Sequence, residues 1–236
     1  MEDSDAAFKI LSACLGSCRL MYAMRTSRAD WVEEVFQEFD GLLKESVESL
    51  LGSPLSDSAW RQAQLCTSQG GLGLRSASLH ADAAFLASVT GTWELCQAMD
   101  PQHAWEGSDG TSGCATAARR YNARVDGSAS VDVASAPSEE ALVQSKLSGQ
   151  LDASVFQGLL NNGSVEDKAR LHACAAPHAG AWLDAPATKA FGLRLTSAEF
   201  ATAAMYRLGA PFLLQDTWCS KRDQVLSRQG GHAVQC

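Results

Sequence analysis

A mainly α-helical fold, with helical hairpins or a bundle in two lobes joined by an irregular linker, is what this sequence predicts. Three observations carry that expectation. Large apolar residues recur at spacings of three and four, capping residues stand where those stretches begin, and alternating strand patterns are nearly absent. Residues 6–25 give the first stripe, with Phe8, Leu11, Leu15, Cys18 and Tyr22 on one helical face. Ser27 and Asp30 offer N-cap oxygens, and Glu33 stands three beyond Asp30 in the manner of a capping box. The second stripe is Val32, Val35, Phe36, Phe39, Leu42, Leu43, Val47 and Leu50. Gly52 and Pro54 end it, because one takes a left-handed cap and the other cannot extend a helix. A short connection makes the two an antiparallel pair.

Ser56 or Asp57 caps a short helix through Trp60 and Leu65. Gly70-Gly71-Leu72-Gly73-Leu74-Arg75 cannot be a helix interior and predicts a tight turn or a close-packed extended segment. Leu79, Ala83, Leu86, Val89 and Trp93 form the next helical stripe. Residues 100–136 are rich in Asp, Gly, Ser, Thr and Pro, with a short helical turn at 119–124, and read as a loose linker. Order resumes at Ser138-Glu139-Glu140, a cap with first-turn acids, followed by Leu142, Leu147 and Leu151. A helix at 153–161 ends at Asn161-Asn162-Gly163, another starts at Ser164 and runs to about Cys174, and Thr196-Ser197-Ala198-Glu199 is a full capping box before Phe200, Ala204 and Leu208.

The chain has 236 residues with 46 % hydrophobic and 19 % charged, so it is long enough to bury a core and is not disordered as a whole. Its formal charge is -8, which opposes polyanion binding except at local basic spots. One such spot is Arg119, Arg120 and Arg124, and another is Lys221, Arg222 and Arg228. Eight scattered cysteines, an acidic and polar start and no run of eighteen apolar residues predict an intracellular, reduced protein that does not enter a membrane.

A catalytic set is not visible, and the chain reads as no self-sufficient enzyme. The acidic doublets Glu33-Glu34, Glu139-Glu140 and Glu166-Asp167 stand near helix starts, where the helix dipole explains them, and no Asp-Asp pair occurs. Gly107-Ser108-Asp109-Gly110 falls one residue short of a nucleophile elbow. The glycine-rich 70–75 lacks the Lys-Ser/Thr ending of a phosphate loop. Cys14 and Cys18 share a helical face and read as core thiols, and His178 reads as a packed or capping residue. Cys219, His232 and Cys236 offer three zinc donors where a closed structural site needs four, so no cofactor is expected beyond an incomplete zinc site.

Several strings fit one pattern together. They are Cys14-Leu15-Gly16-Ser17-Cys18-Arg19-Leu20-Met21-Tyr22 with Arg25-Thr26, Phe39-Asp40, and Leu51-Gly52-Ser53-Pro54-Leu55-Ser56-Asp57. Trp60-Arg61-Gln62-Ala63-Gln64-Leu65 and Gly70 through Ala77 follow, then Lys168-Ala169-Arg170-Leu171, Pro177 through Leu183, and Gly231 through Cys236. In these the chain resembles the part of LINE-type (non-LTR) retrotransposon reverse transcriptases that follows the catalytic palm. The resemblance implies a thumb-like helical region at 1–99, the linker at 100–136, a second helical region at 137–215 and a degenerate Cys/His knuckle-like tail at 216–236. It implies an RNA or DNA duplex and a palm domain as partners. If nucleic acid is bound, the basic residues Arg19, Arg25, Arg75, Arg119, Arg120 and Arg124 are the expected phosphate contacts. The palm and its paired aspartates are absent, so DNA synthesis is not expected. Arg222 stands where a second knuckle cysteine would be, and Gly231 where an acid is usual. The initiating Met just upstream of the thumb suggests a truncated or relic reading frame. The other reading is a helical protein-interaction or scaffold module that does not bind nucleic acid.

Overall fold

A computed structural model describes residues 3–137, 142–188, 190–221 and 223–230. It is mainly helical, as expected: α1 (Ser4–Cys14), α2 (Met21–Thr26), α3 (Glu33–Leu51), α4 (Asp57–Gln64), α5 (Ala77–Met99), α6 (Gly113–Asn122), α7 (Gln144–Asn162), α8 (Val165–Cys174), α9 (Ala181–Asp184) and α10 (Ser197–Leu208). A two-stranded antiparallel hairpin, β1 (Thr217–Trp218) and β2 (Val225–Leu226), lies in the tail, with Thr217 opposite Leu226. Among the described residues, no helix is long and apolar enough to cross a membrane.

The helix starts follow the capping chemistry. Side chains of Ser56, Ser76 and Ser164 accept from the backbone N–H groups that open α4, α5 and α8. Both halves of the capping box form at α10: Thr196 accepts from the Glu199 N–H, and the Glu199 carboxylate accepts from the Thr196 N–H. Gly52, at φ +70°, follows the end of α3 as its sequence predicts. The predicted cap at Ser138-Glu139-Glu140 lies outside the described residues.

The chain forms two compact units, and both are discontinuous in sequence. One comprises residues 1–16, 42–75 and 156–236, the other 17–41 and 76–155. In the first, α10 packs on α1, α4 and α8. Phe200 on α10 meets Phe8 at 5.1 Å and Trp182 at 5.9 Å between ring centroids. In the second, α5 packs on α2 and α6. Ala81 and Ala84 of α5 meet Met24 and Phe36, while Ala83 and Leu86 meet Ala117, Tyr121, Leu147 and Leu151. The small alanines let neighbouring helices approach closely.

Three expectations are corrected. The stripe over 6–25 is not one helix: α1 ends at Cys14, and a 3₁₀ turn over Ser17–Leu20 leads into α2. Of its apolar residues only Phe8 is buried, while Leu15 is 50 % and Tyr22 80 % exposed. Residues 100–136 are not a loose linker between lobes, because they fold into the second unit. There α6 buries Cys114, Ala117, Ala118 and Tyr121, and Trp105 donates its indole N–H to the Val133 carbonyl at 2.8 Å. A Cβ on Gly107 would stand 2.1 Å from that carbonyl oxygen, so this glycine marks a close approach of the backbone. Finally, the helices read at 142–151 and 153–161 are one helix, α7.

Candidate functional site

In the second unit a buried carboxylate gathers two of the predicted phosphate contacts. Asp82 lies on α5 among Ala81, Ala83 and Ala84, and its side chain is 2 % exposed. Its Oδ2 accepts from Arg120 Nε at 3.0 Å and from Arg124 Nη1 at 2.9 Å. Arg120 also donates through Nη1 to Glu33 at 2.9 Å, and Arg124 to the Leu79 carbonyl. Burial pushes the Asp82 carboxyl up, against the pull of the two guanidiniums. The Arg120 hydrogen bond holds the Glu33 carboxylate below its ordinary value, and Glu33 in turn raises Arg120. Arg120 and Arg124 are therefore engaged inside the fold and leave the set of phosphate contacts. Glu33, read as a capping acid, is a partner in this network.

The remaining candidates differ. Arg119 is exposed and donates to Thr116 one turn back. Arg75 is half-buried and belongs to the first unit. Arg19 and Arg25 are exposed, and Arg25 donates to the Gln144 carboxamide oxygen through Nε at 3.0 Å and Nη2 at 2.7 Å. Among the described residues, no carboxylate pairs with Arg19 or Arg25, whereas Arg28 pairs with Asp30 at 2.8 Å and lies 4.5 Å over the Trp31 ring.

In the first unit the strings that carry the family resemblance converge on Arg207 of α10, which is 4 % exposed. Arg207 donates to the carbonyls of Gly71 at 3.0 Å, Thr67 at 2.7 Å and Ala179 at 3.1 Å. Its own carbonyl accepts from Gln62 Nε2 at 2.8 Å and from Arg170. Gln62 also donates to the Gly70 carbonyl at 2.9 Å and accepts from Arg170 Nη1 at 2.9 Å. Burial pulls the Arg207 guanidinium below its usual value, since carbonyl dipoles rather than a carboxylate face it. Gly71 is obligatory here, because a Cβ would lie 2.0 Å from the Leu65 carbonyl oxygen. Sequence reasoning missed Arg207, yet its position between Ala204 and Leu208 on a buried face was the available signal. Asp82 and His80, polar residues within an alanine-rich helix, carried the same signal. His80 Nε2 stands 3.2 Å from Asp152 Oδ1, both side chains being almost fully buried.

Asp109 turns its carboxylate back onto the Thr111 N–H and hydroxyl, which makes Gly107-Ser108-Asp109-Gly110 a loop turn. His178 is exposed, at φ +65°, in a turn after Pro177. Cys14 and Cys18 are both exposed rather than core thiols. Cys219 follows β1 and its sulfur accepts from the Lys221 N–H at 3.5 Å. His232 and Cys236 lie outside the described residues, and the three-donor set is one short of a structural zinc site, so no chemistry is derived through zinc. Among the described residues, no group of three His, Cys, Asp or Glu side chains is placed to hold a metal ion. No family model, no curated protein and no solved structure matches this chain.

Proposed function

We propose that the chain is a non-catalytic helical element, akin to the post-palm region of a LINE-type reverse transcriptase, that contacts a nucleic-acid strand weakly and locally. The observation that carries this reading is the meeting of separate strings at one buried centre. Gln62, Gly70, Gly71, Arg170 and Ala179 come from four strings that carry the resemblance, and all bond within the Arg207 network. A chance likeness in scattered strings gives no reason for them to share one set of hydrogen bonds. The likeness therefore bears on the fold, while the binding reading rests on the exposed Arg19 and Arg25. We place the protein in a reduced intracellular setting, on the scattered spacing of its cysteines.

The test is a titration of the full chain against a labelled primer–template with a single-stranded overhang. Two arginine contacts give a slope near -1.4 in log K against log salt, so raising salt from ~50 to ~200 mM weakens binding about sevenfold. No binding at the lower salt would reduce the resemblance to ancestry.

A second reading has its own observation. An apolar groove of about 510 Å³ runs along α1 and the later part of α3, lined by Ile10, Leu11, Leu15, Ser46 and Leu50 among others. Ile10 is 57 % exposed, which suits a helical protein-interaction module. Self-association that rises with concentration and is lost in Ile10→Glu, without nucleic-acid binding, would favour it.

A further inference from the structure

The 3₁₀ turn Ser17–Leu20 runs directly into α2, and steps of three residues along such a run place side chains in one row. Arg19, Tyr22 and Arg25 stand at those steps. All three are exposed, Tyr22 at 80 %, while Met24 turns inward at 1 %. From Ser17 to Ala29 the sequence holds three arginines and no acid, in a chain whose net charge is -8. Gln144 steadies Arg25 with a neutral carboxamide, which fixes the side chain and leaves its charge uncancelled. Among the described residues, neither Arg19 nor Arg25 has a carboxylate partner and no aromatic ring packs on Tyr22. An exposed tyrosine ring flanked along the helix by two uncompensated guanidiniums offers an aromatic face and positive charge together, the two features that a single strand uses.

We infer that the row Arg19–Tyr22–Arg25 is a stacking platform for an unpaired nucleotide strand. The Tyr22 ring takes the face of one base, and the two guanidiniums take phosphates on either side. This rests on the nucleic-acid reading above and narrows it. Bases in a duplex are stacked on each other, so only an unpaired base offers its face to a side chain. Two arginines provide modest attraction, which leaves stacking as the larger local contribution.

The experiment measures anisotropy of a fluorescein-labelled single strand of about 12 nucleotides, and of a blunt duplex of equal length, with the full chain at ~50 mM salt. The proteins are the wild type, Tyr22→Ala, Tyr22→Phe and the double variant Arg19→Ala with Arg25→Ala, each checked for helicity by circular dichroism. Tyr22→Ala is expected to lose about 5- to 100-fold in single-strand affinity, with Tyr22→Phe within about twofold of wild type and duplex affinity unmoved by either. Unchanged single-strand binding in Tyr22→Ala, with weakening in the arginine double variant, overturns the stacking platform and leaves the nucleic-acid reading standing. Equal weakening on duplex and single strand overturns the assignment to unpaired bases. Failure of the wild type to bind either oligonucleotide overturns both, and shifts this face to a protein partner.

Discussion

Asp82 sits on a helix of alanines, where a carboxylate has no water to turn to, and two arginines from beyond α5 supply what water would have given. Removing that charge takes the carboxylate from Arg124 and leaves Arg120 with Glu33 alone. Asp82→Asn is expected to cost about 2–4 kcal/mol in urea unfolding, toward the lower end because both arginines keep some solvent. Glu33 gives a pH signature of definite sign. Its folded value lies below the ordinary 4.5, so its pairing with Arg120 contributes fully above pH 4.5 and is lost as pH falls through the folded value. The stability gap between wild type and Glu33→Gln should hold at neutral pH and close under acid. A gap that persists unchanged to about pH 3 would show that the pair is not coupled. Thiol chemistry follows burial in the same way. Burial pushes the Cys114 thiol up to about 11, whereas Cys14 and Cys18 are exposed. Maleimide labelling near neutral pH, mapped by mass spectrometry, should therefore mark Cys14 and Cys18 first and reach Cys114 only after unfolding.

Elements here are held at their ends as firmly as along their faces. The start of α5 receives the Asp40 carboxylate, which accepts from the Ala77 N–H at 2.8 Å, the Ser78 N–H at 3.1 Å and the hydroxyls of Ser76 and Ser78 at 2.6 Å each. A buried anion at a helix N-terminus meets both the open N–H groups and the positive end of the dipole. Asp40→Ala is expected to cost about 2–4 kcal/mol, more than an ordinary cap, since four bonds to a charged group are lost together. For α6 the decisive residue is Tyr121, fully buried beside Leu147 and Leu151. Tyr121→Ala should destabilise by about 3–5 kcal/mol in thermal or urea melts. A change near zero would mean that residues 100–136 behave as the loose segment their composition suggests.

At the scale of the whole chain, discontinuity is the main fact. Each compact unit is assembled from separated segments, so residues far apart in sequence decide one another's environment. Arg207 bonds to Gly71 across a separation of 136 residues. The same non-locality explains how much of the candidate site was legible. Helix existence and caps could be read because they depend on neighbours three or four residues away. The role of Arg120 and Arg124 could not, because their carboxylate partners lie 38 to 87 residues upstream. A cluster of arginines looks like a phosphate site until the opposing acids are placed beside it. The net charge of -8 acts on the same scale: it opposes polyanion binding over the chain as a whole, so the contact proposed at Arg19 and Arg25 would be local and its salt slope shallow.

The sequence by itself determined the helical class, the caps at Ser56, Ser164 and Thr196, the stop at Gly52 and the turn at Gly70–Arg75, because these are local choices of backbone and side chain. Only the tertiary structure decided that 100–136 belongs to a core, that Asp82 and Arg207 are buried centres, and which arginines remain exposed. Burial and charge pairing are properties of distant residues brought together, and a pattern read along the chain does not contain them.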